Sequence, residues 1–399
     1  MRVVLMMNFV APYRVPLLER LQARIGALQV WISTTMERDR AWVPDWGTLD
    51  VTVQRTLTVR KKQAYGPEFT RMLEIHVPYD TLPRLMASRP DAVIAGELGA
   101  RSVQAALYRR TRRDMPLLIW ATLSERSERD WGGMRKLLRR FILRSADGVF
   151  VNGESGARYI KRFGVADERI FRLNQPVDVD LFANEPRNRV PDGASRLLVC
   201  GMLVKRKGLP QLIAAVEGWA QLHPDRSVEV WFVGEGEMAD DIASRSCPPN
   251  LRYCLKGHVS YAELPAIYAQ ADMLLLPTLM DEWGLVVNEA MASGLPVLGS
   301  IHSQAVEEMV TNGVDGWVFD PLDASSFAGA LDRALQTPVD QLAAMGEVAR
   351  RRISSLTPGS TAERMAQALE IVRAALHAPL PSDDRPDAPS LAVLQSHEP

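Results

Sequence analysis

Cysteine is scarce in this chain: Cys200, Cys247 and Cys254 are the only three in 399 residues. They are too few and too irregular for a disulfide framework, and no metal-ligand spacing ties them to the histidines. A reducing, cytoplasmic compartment is the expectation. Long apolar runs are missing too. No stretch approaches the roughly 18 residues that a membrane span requires. The opening run, Arg2 to Met7, breaks at Asn8 and reads as a buried strand, not a leader. Phosphate fingerprints are also absent: no Gly-x-Gly-x-x-Gly follows the first strand and no Gly-x-x-x-x-Gly-Lys occurs anywhere. A nicotinamide oxidoreductase and a P-loop ATPase thereby lose their main support.

Enough apolar material is present for two cores. The chain is 47% hydrophobic and 24% charged, a globular balance, and its length fits two domains of about 180 residues each. The net charge of −1 conceals an asymmetry. Residues 1–182 carry 30 Lys and Arg against 20 Asp and Glu, while 183–399 carry 17 against 28. An anionic partner on the basic side fits this, and so do two oppositely biased surfaces that attract each other.

In the first half, strands expected at 2–7, 28–33, 50–55, 91–95, 116–120 and 148–151 alternate with helices. Such alternation predicts a parallel sheet with both faces covered. The stretch Thr58 to Lys62 reads as basic and turn-rich. Ligands of parallel sheets gather at the carboxyl ends of the strands. Tyr13, Arg14, Glu97 and Glu125 occupy loops there, with Glu128 nearby, although a solvated loop charge looks the same. The helix 134–144 carries Leu137, Leu138, Phe141 and Ile142 on one face and five basic residues on the rest. It can lie on an anionic membrane surface or pack that face on its own sheet. Residues 183–195, rich in Pro, Asn and Asp, read as a linker between domain 1–182 and domain 196–357.

After the linker the alternation resumes. Strand 197–200 runs into Gly201 to Gly208, with Lys205, Arg206 and Lys207 just before a helix, an arrangement that cradles phosphate oxygens. Lys207, beside Gly208, is best placed. Gly257-His258-Val259 offers its backbone to a base edge. The apolar run ending at Pro277 is a buried strand, followed by Asp281, Glu282 and Gly284 and then by a helix that stops at Gly294. Glu289 lies in the first or second turn of that helix. Free N–H groups facing a carboxylate-bearing loop make a site for anions and hydroxyls.

Taken in order, several pieces resemble one family. They are Gly153 to Ile160, Asn174 with Val177-Asp178 and Phe182, Gly201 with Lys207-Gly208, Val233 to Gly236, Ala271 to Pro277, Asp281 to Val297, and Asn312 to Val318. Their order and spacing resemble the retaining glycosyltransferases of family 4, of the subset acting on bacterial polysaccharide or lipid-linked acceptors. The resemblance covers roughly residues 2–375 and is densest at 150–320. It implies the α/β GT-B architecture: two Rossmann-like doubly wound domains facing each other across a cleft, with a C-terminal helix, 358–377, crossing back to the first. Residues 378–399 are expected to be a disordered tail.

The family signature is two acidic residues with seven between them, and Asp281 and Glu289 have that spacing. The resemblance implies that Asp281 lies by the donor sugar, that Glu289 holds the ribose hydroxyls, and that Lys207 holds the diphosphate. Backbone N–H groups around Gly284, Leu285 and Val286 would share that load. Asp281 stands where Glu is usual, and Met202 where an Arg is usual, so diphosphate binding is weakened unless Lys205 or Arg206 substitutes. Asp178-Val-Asp180 has the spacing of a metal motif, but the match makes it a structural turn. The expected partners are a nucleotide-sugar donor and a saccharide or lipid-linked acceptor, with no metal, no other cofactor and no nucleic acid. The alternatives are a catalytically silent binding or scaffold protein and an epimerase or phosphorylase of the same architecture.

Overall fold

The computed structural model describes residues 1–37, 43–65, 69–128, 132–189 and 192–378. The chain forms two compact units. One holds Met1–Arg60, Glu74–Leu173 and the described residues from Gly359, and the other holds Lys61–Leu73 and Asn174–Pro358.

The first unit begins with β1 (Arg2–Met7), α1 (Val15–Ile25), β2 (Ala27–Ile32) and β3 (Asp50–Val53). Next in chain order is a two-stranded ribbon of β4 (Thr56–Tyr65) and β5 (Phe69–Pro78), of which Lys61–Leu73 counts with the second unit, then α2 (Thr81–Ser88) and β6 (Ala92–Gly96). Next come α3 (Ala100–Thr111), β7 (Leu117–Ala121), α4 (Gly133–Ser145), β8 (Gly148–Val151), α5 (Glu154–Lys161) and β9 (Ile170–Arg172). The sheet order is β3-β2-β1-β6-β7-β8-β9, with parallel neighbours throughout. Both faces are covered, so the strands are nearly continuous apolar runs. Val4 and Met6 enter one core, while Val3, Leu5 and Met7 enter the other.

The second unit opens with α6 (Val179–Ala183), β10 (Ser195–Cys200), α7 (Leu209–Leu222), β11 (Val228–Val233), α8 (Ala239–Ala243) and β12 (Leu251–Gly257). It continues with α9 (Leu264–Gln270), β13 (Met273–Leu276), α10 (Leu285–Ala292), β14 (Val297–Ser300), α11 (Gln304–Met309) and β15 (Gly316–Phe319). It closes with α12 (Ala324–Gln336) and α13 (Val339–Ile353). Its parallel sheet runs β12-β11-β10-β13-β14-β15. This is the doubly wound order, whose ligand crevice lies where the winding reverses, here between β10 and β13. The last helix, α14 (Pro358–His377), puts Ala362, Met365 and Leu369 into the first unit's core with Leu5, Ile32 and Phe150.

Three expectations change, and the apolar face of α4 divides. The basic stretch Thr58 to Lys62 is strand, not turn, held by Thr58 Oγ1 to His76 Nδ1 at 2.9 Å and an Arg60–Glu74 ion pair at 2.9 Å across the ribbon. The change of unit falls between Leu173 and Asn174, not after 182, because Val177, Val179 and Phe182 are buried with Tyr268 and Leu274. The polar stretch from 183 is anchored to the second unit: Arg187 donates to the carbonyls of Tyr268 and Ala271 at 2.9 and 2.6 Å, and Arg189 pairs with Asp272. In α4 the buried face is Arg139, Ile142 and Leu143, whereas Leu137 and Leu138 point outward. Arg139 is the cause, since its guanidinium is turned inward onto Glu128 and the Tyr159 hydroxyl. Asp178 caps α6, its carboxylate accepting from Leu181 N at 3.3 Å, as the structural-turn reading requires. The tail expected from 378 falls, from 379 on, outside the described residues.

Candidate active site

Two loops leave the reversal point of the second sheet. The loop after β10 tightens into a single turn over Lys205–Lys207 and reaches Gly208, which has φ +72° and caps α7. A Cβ at Gly208 would stand 1.9 Å from the Pro277 carbonyl oxygen, so the two loops approach as closely as backbone permits. They are also stitched together. Leu279 N donates to Arg206 O at 3.0 Å, and the Arg206 guanidinium donates to Met280 O at 2.8 Å. The stitching brings Lys207 Nζ to 2.5 Å from Asp281 Oδ2, with both side chains 17% exposed. Glu282, by contrast, is exposed and joins the structure through its carbonyl, which accepts from Gln304 Nε2 at 2.6 Å. Asp281 thus meets the lysine directly.

The loop carrying Asp281 is held from behind. Asp281 N donates to His302 O at 3.1 Å, and buried His302 places Nδ1 2.9 Å from Leu279 O. A carbonyl only accepts, so Nδ1 carries the proton, while Nε2 faces Asp320 at 3.3 Å. Ser303 Oγ and Ala305 N both donate to Trp283 O, and the Trp283 indole donates to Asn288 Oδ1 at 2.9 Å. Gly284, at φ +108°, starts α10, and a Cβ there would sit 2.6 Å from Ser303 Oγ. The N–H groups of Leu285 and Val286 open α10, where a helix has no internal acceptors and its dipole favours negative charge.

Glu289 lies further along α10 and is buried. The fully buried Tyr268 hydroxyl, from α9, donates to its Oε2 at 2.7 Å. Burial raises the Glu289 carboxyl to about 7, and the tyrosine hydrogen bond pulls the other way. At the end of β10 the Cys200 thiol, hydrogen-bonded to Tyr268, is pushed up to about 12, first by burial and then by the negative charge of Glu289. Tyr268, Cys200 and His302 escaped the sequence reading, because each acts through a contact between elements distant in the chain. His258 is exposed on the loop leaving β12, which Gly257 turns at φ +66°.

Among the first unit's candidates, Tyr13, Arg14 and Glu97 gather at the carboxyl end of the sheet. The Arg14 guanidinium lies 5.1 Å over the Trp120 ring and 6.0 Å from that of Tyr13. Glu97 takes up φ +63°, its N–H donating to Trp120 O at 2.9 Å and its carboxylate accepting from Thr122 Oγ1 at 2.5 Å. A residue other than glycine held in that region marks a place the surroundings over-determine. Glu125 is drawn elsewhere, into ion pairs with Arg158 at 2.7 Å and Arg162 at 2.5 Å. Beneath the group lies Arg101, which no sequence pattern singled out. It is buried, donates to Asn8 and to Ser33 Oγ, and burial lowers its pKa to about 10.

The close approach at Gly208 gives a direct prediction. Gly208→Ala should destabilise the second unit by on the order of 3 kcal/mol, through strained backbone and a forced separation of the loops. Urea unfolding measures this, and an unchanged midpoint would contradict the geometry.

Two parallel doubly wound units with a returning terminal helix define the GT-B fold of glycosyltransferases. Among solved structures with this fold, the lipopolysaccharide outer core galactosyltransferase WaaB matches with a TM-score of 0.69 at 14% identity, covering 93% of this chain and 99% of that one. An Anabaena protein, HepE, solved in complex with UDP, matches at 0.67 and 15% identity, covering 93% and 100%. Residues 182–352, the segment built around Lys207, Asp281 and Glu289, match the model of the family "Glycosyl transferases group 1". Among curated relatives, the glycogen synthase of Mycobacterium tuberculosis is 30% identical over 175 residues, 43% of this chain and 40% of that one. The D-inositol 3-phosphate glycosyltransferase of Corynebacterium kroppenstedtii is 26% identical over 255 residues, 59% and 56%. The chain thus spans about half the length of the curated relatives it matches. Among the described residues, no helix is long and apolar enough to cross a membrane.

Proposed function

We propose that the chain is a retaining glycosyltransferase that moves a sugar from a nucleoside diphosphate to a hydroxyl acceptor. The observation that carries this is the meeting of Lys207 and Asp281 at the sheet's reversal point, with the α10 N-terminus and buried Glu289 following. Glu289 accepts hydrogen bonds from the ribose hydroxyls. Lys207 turns from Asp281 to the diphosphate, beside the N–H groups of Leu285 and Val286. Asp281 then faces the donor sugar's hydroxyls. As the glycosidic bond breaks, negative charge grows on the leaving diphosphate, where Lys207 and the helix terminus stabilise it without a metal ion. A departing phosphate oxygen takes the acceptor proton on the same face, which retains the anomeric configuration. HepE, solved with UDP and with UDP plus glucose, makes UDP the first nucleotide to try.

The acceptor reading rests on Arg14 and Glu97 at the first sheet's carboxyl end, and the sequence resemblance makes the process cell-surface polysaccharide or glycolipid synthesis. The amylovoran biosynthesis glycosyltransferase of Erwinia amylovora, 30% identical over 153 residues, supports that class. We place the protein in the cytoplasm, peripheral to an anionic membrane through the outward-facing Met134 and Leu137 of α4.

The test is UDP release from a panel of UDP-sugars, with and without EDTA, and the anomeric configuration of the product read by NMR. Turnover unaffected by EDTA with retained configuration is expected. Activity lost to EDTA and restored only by a divalent ion, or an inverted product, would refute the scheme.

A further inference from the structure

Helices α3 and α4 lie side by side in the first unit, and their facing sides carry a row of arginines. Arg109 is consumed internally, clamping Asp147 through Nε and Nη2 at 3.0 and 3.1 Å, while Asp147 also accepts from Leu117 N at 2.8 Å. The neighbouring arginines are not so used. Arg110, Arg113, Arg140 and Arg144 are exposed, and among the described residues none of them is in an ion pair with a carboxylate. Together with Leu137 and Phe141 they line a cavity of about 510 Å³. The Arg110 guanidinium lies 5.1 Å over the Phe141 ring, which holds one wall in place.

Arg109 and Asp147 also line the hollow and neutralise each other, which leaves four like charges that repel one another and favour an anion between them. Guanidinium groups match phosphate oxygens in pairs. The rim adds a second chemistry. Met134, Leu137 and Leu138 on α4 are 80%, 62% and 37% exposed, because α4 buries Arg139 in place of its apolar stripe. A soluble phosphate leaves that apolar edge in water, and the cavity's lone aromatic ring is already covered by Arg110, which leaves no stacking platform for bases. An anionic headgroup next to an acyl region satisfies both halves.

We propose that this cavity binds the phosphate of an anionic phospholipid within a bilayer surface, with Met134 and Leu137 entering the acyl boundary. This rests on the membrane-facing reading of α4 and deepens it by naming the ligand and adding α3's Arg110 and Arg113. Co-sedimentation of the full chain with phosphatidylglycerol-containing vesicles, against vesicles of phosphatidylcholine alone, tests it. Binding to the anionic vesicles only is expected. The exposed pair Arg110→Glu with Arg140→Glu should cut the bound fraction by roughly tenfold or more, with melting temperature and UDP-sugar turnover in solution unchanged. Met134→Ser with Leu137→Ser should also reduce binding.

If the arginine variant binds as wild type while the apolar variant fails, α4 remains a membrane contact and the headgroup site is refuted. If neither vesicle pulls the protein down, both ideas fall together. Binding of inorganic phosphate to the free chain that Arg110→Glu with Arg140→Glu abolishes, while those substitutions leave vesicle binding unchanged, would assign the cavity to free anions and overturn the lipid proposal. Tighter binding to a short RNA than to anionic vesicles would overturn it as well.

Discussion

Lys207→Ala should lower kcat/KM by roughly 10²–10³-fold, about 3–4 kcal/mol, the scale on which a single donor to a developing anion contributes. The loss should appear mainly in kcat, since the diphosphate gains charge as the glycosidic bond breaks. Stability should hardly move. The Lys207–Asp281 pair is partly open to solvent, and such pairs contribute about 1 kcal/mol or less. Large kinetic loss with small stability loss distinguishes a transition-state role from a structural one. Lys207→Arg should rescue poorly. The lysine is delivered through the tight Gly208–Pro277 approach, which leaves little freedom to reposition a planar fork. Asp281→Ala provides the complementary arm, freeing Lys207 while removing a contact to the donor sugar. A double-mutant cycle would show coupling between the two, because each sets the other's position. Steady-state kinetics with a UDP-sugar supplies the numbers, and a Lys207→Ala enzyme within threefold of wild type would end the assignment.

Much of this site was legible in the chain because its chemistry is local. The apolar run before Pro277 and the glycines at 208 and 284 follow from backbone rules, while the pairing of Asp281 with Glu289 came from the family resemblance. The choice of Asp281 over Glu282 came from the family resemblance, and in the structure Asp281 lies against Lys207. What was hidden depends on tertiary packing. Tyr268 sits on α9, a short helix whose sequence Leu264 to Gln270 carries no strong period, and its role exists only where α9 meets α10. Arg101 looked like any surface charge at a helix start until its partners on β1 and β2 loops buried it. In α4, amphipathic counting grouped Leu137 and Leu138 with Phe141 and Ile142 and left open where that face lies; the inward Arg139, held by Glu128, splits it, with Ile142 buried and Leu137 and Leu138 outward. A buried charge with a partner overrides periodicity, and sequence pattern alone does not reveal the partner.

Glu289→Gln should make the protein more stable at pH 8 than the wild type, while weakening donor binding. Burial raises the Glu289 carboxyl from 4.5 to about 7 in the folded chain. The folded state therefore binds this proton more tightly than the unfolded one. That advantage is whole below pH 4.5, is lost progressively as pH climbs, and is gone once pH has passed through about 7. Above that point the folded wild type carries a buried carboxylate, at a cost of about 3 kcal/mol relative to acid. Glutamine keeps the shape, still accepts from the Tyr268 hydroxyl, and never ionises, so it escapes that cost. The two melting curves should coincide near pH 4.5 and separate by several degrees at pH 8. Donor affinity should move the opposite way. Ribose hydroxyls donate to a carboxylate with charge-assisted bonds worth about 1.5–3 kcal/mol, which an amide oxygen only partly replaces. UDP should therefore bind glutamine roughly tenfold to a hundredfold more weakly at pH 8, and the gap should narrow as pH falls below 7 and the wild-type carboxyl takes up its proton. Calorimetric melting and UDP titration across pH 5–8 read both effects on one pair of proteins. Parallel melting profiles, or equal UDP affinity at pH 8, would remove Glu289 from the role of buried, ionisable ribose clamp.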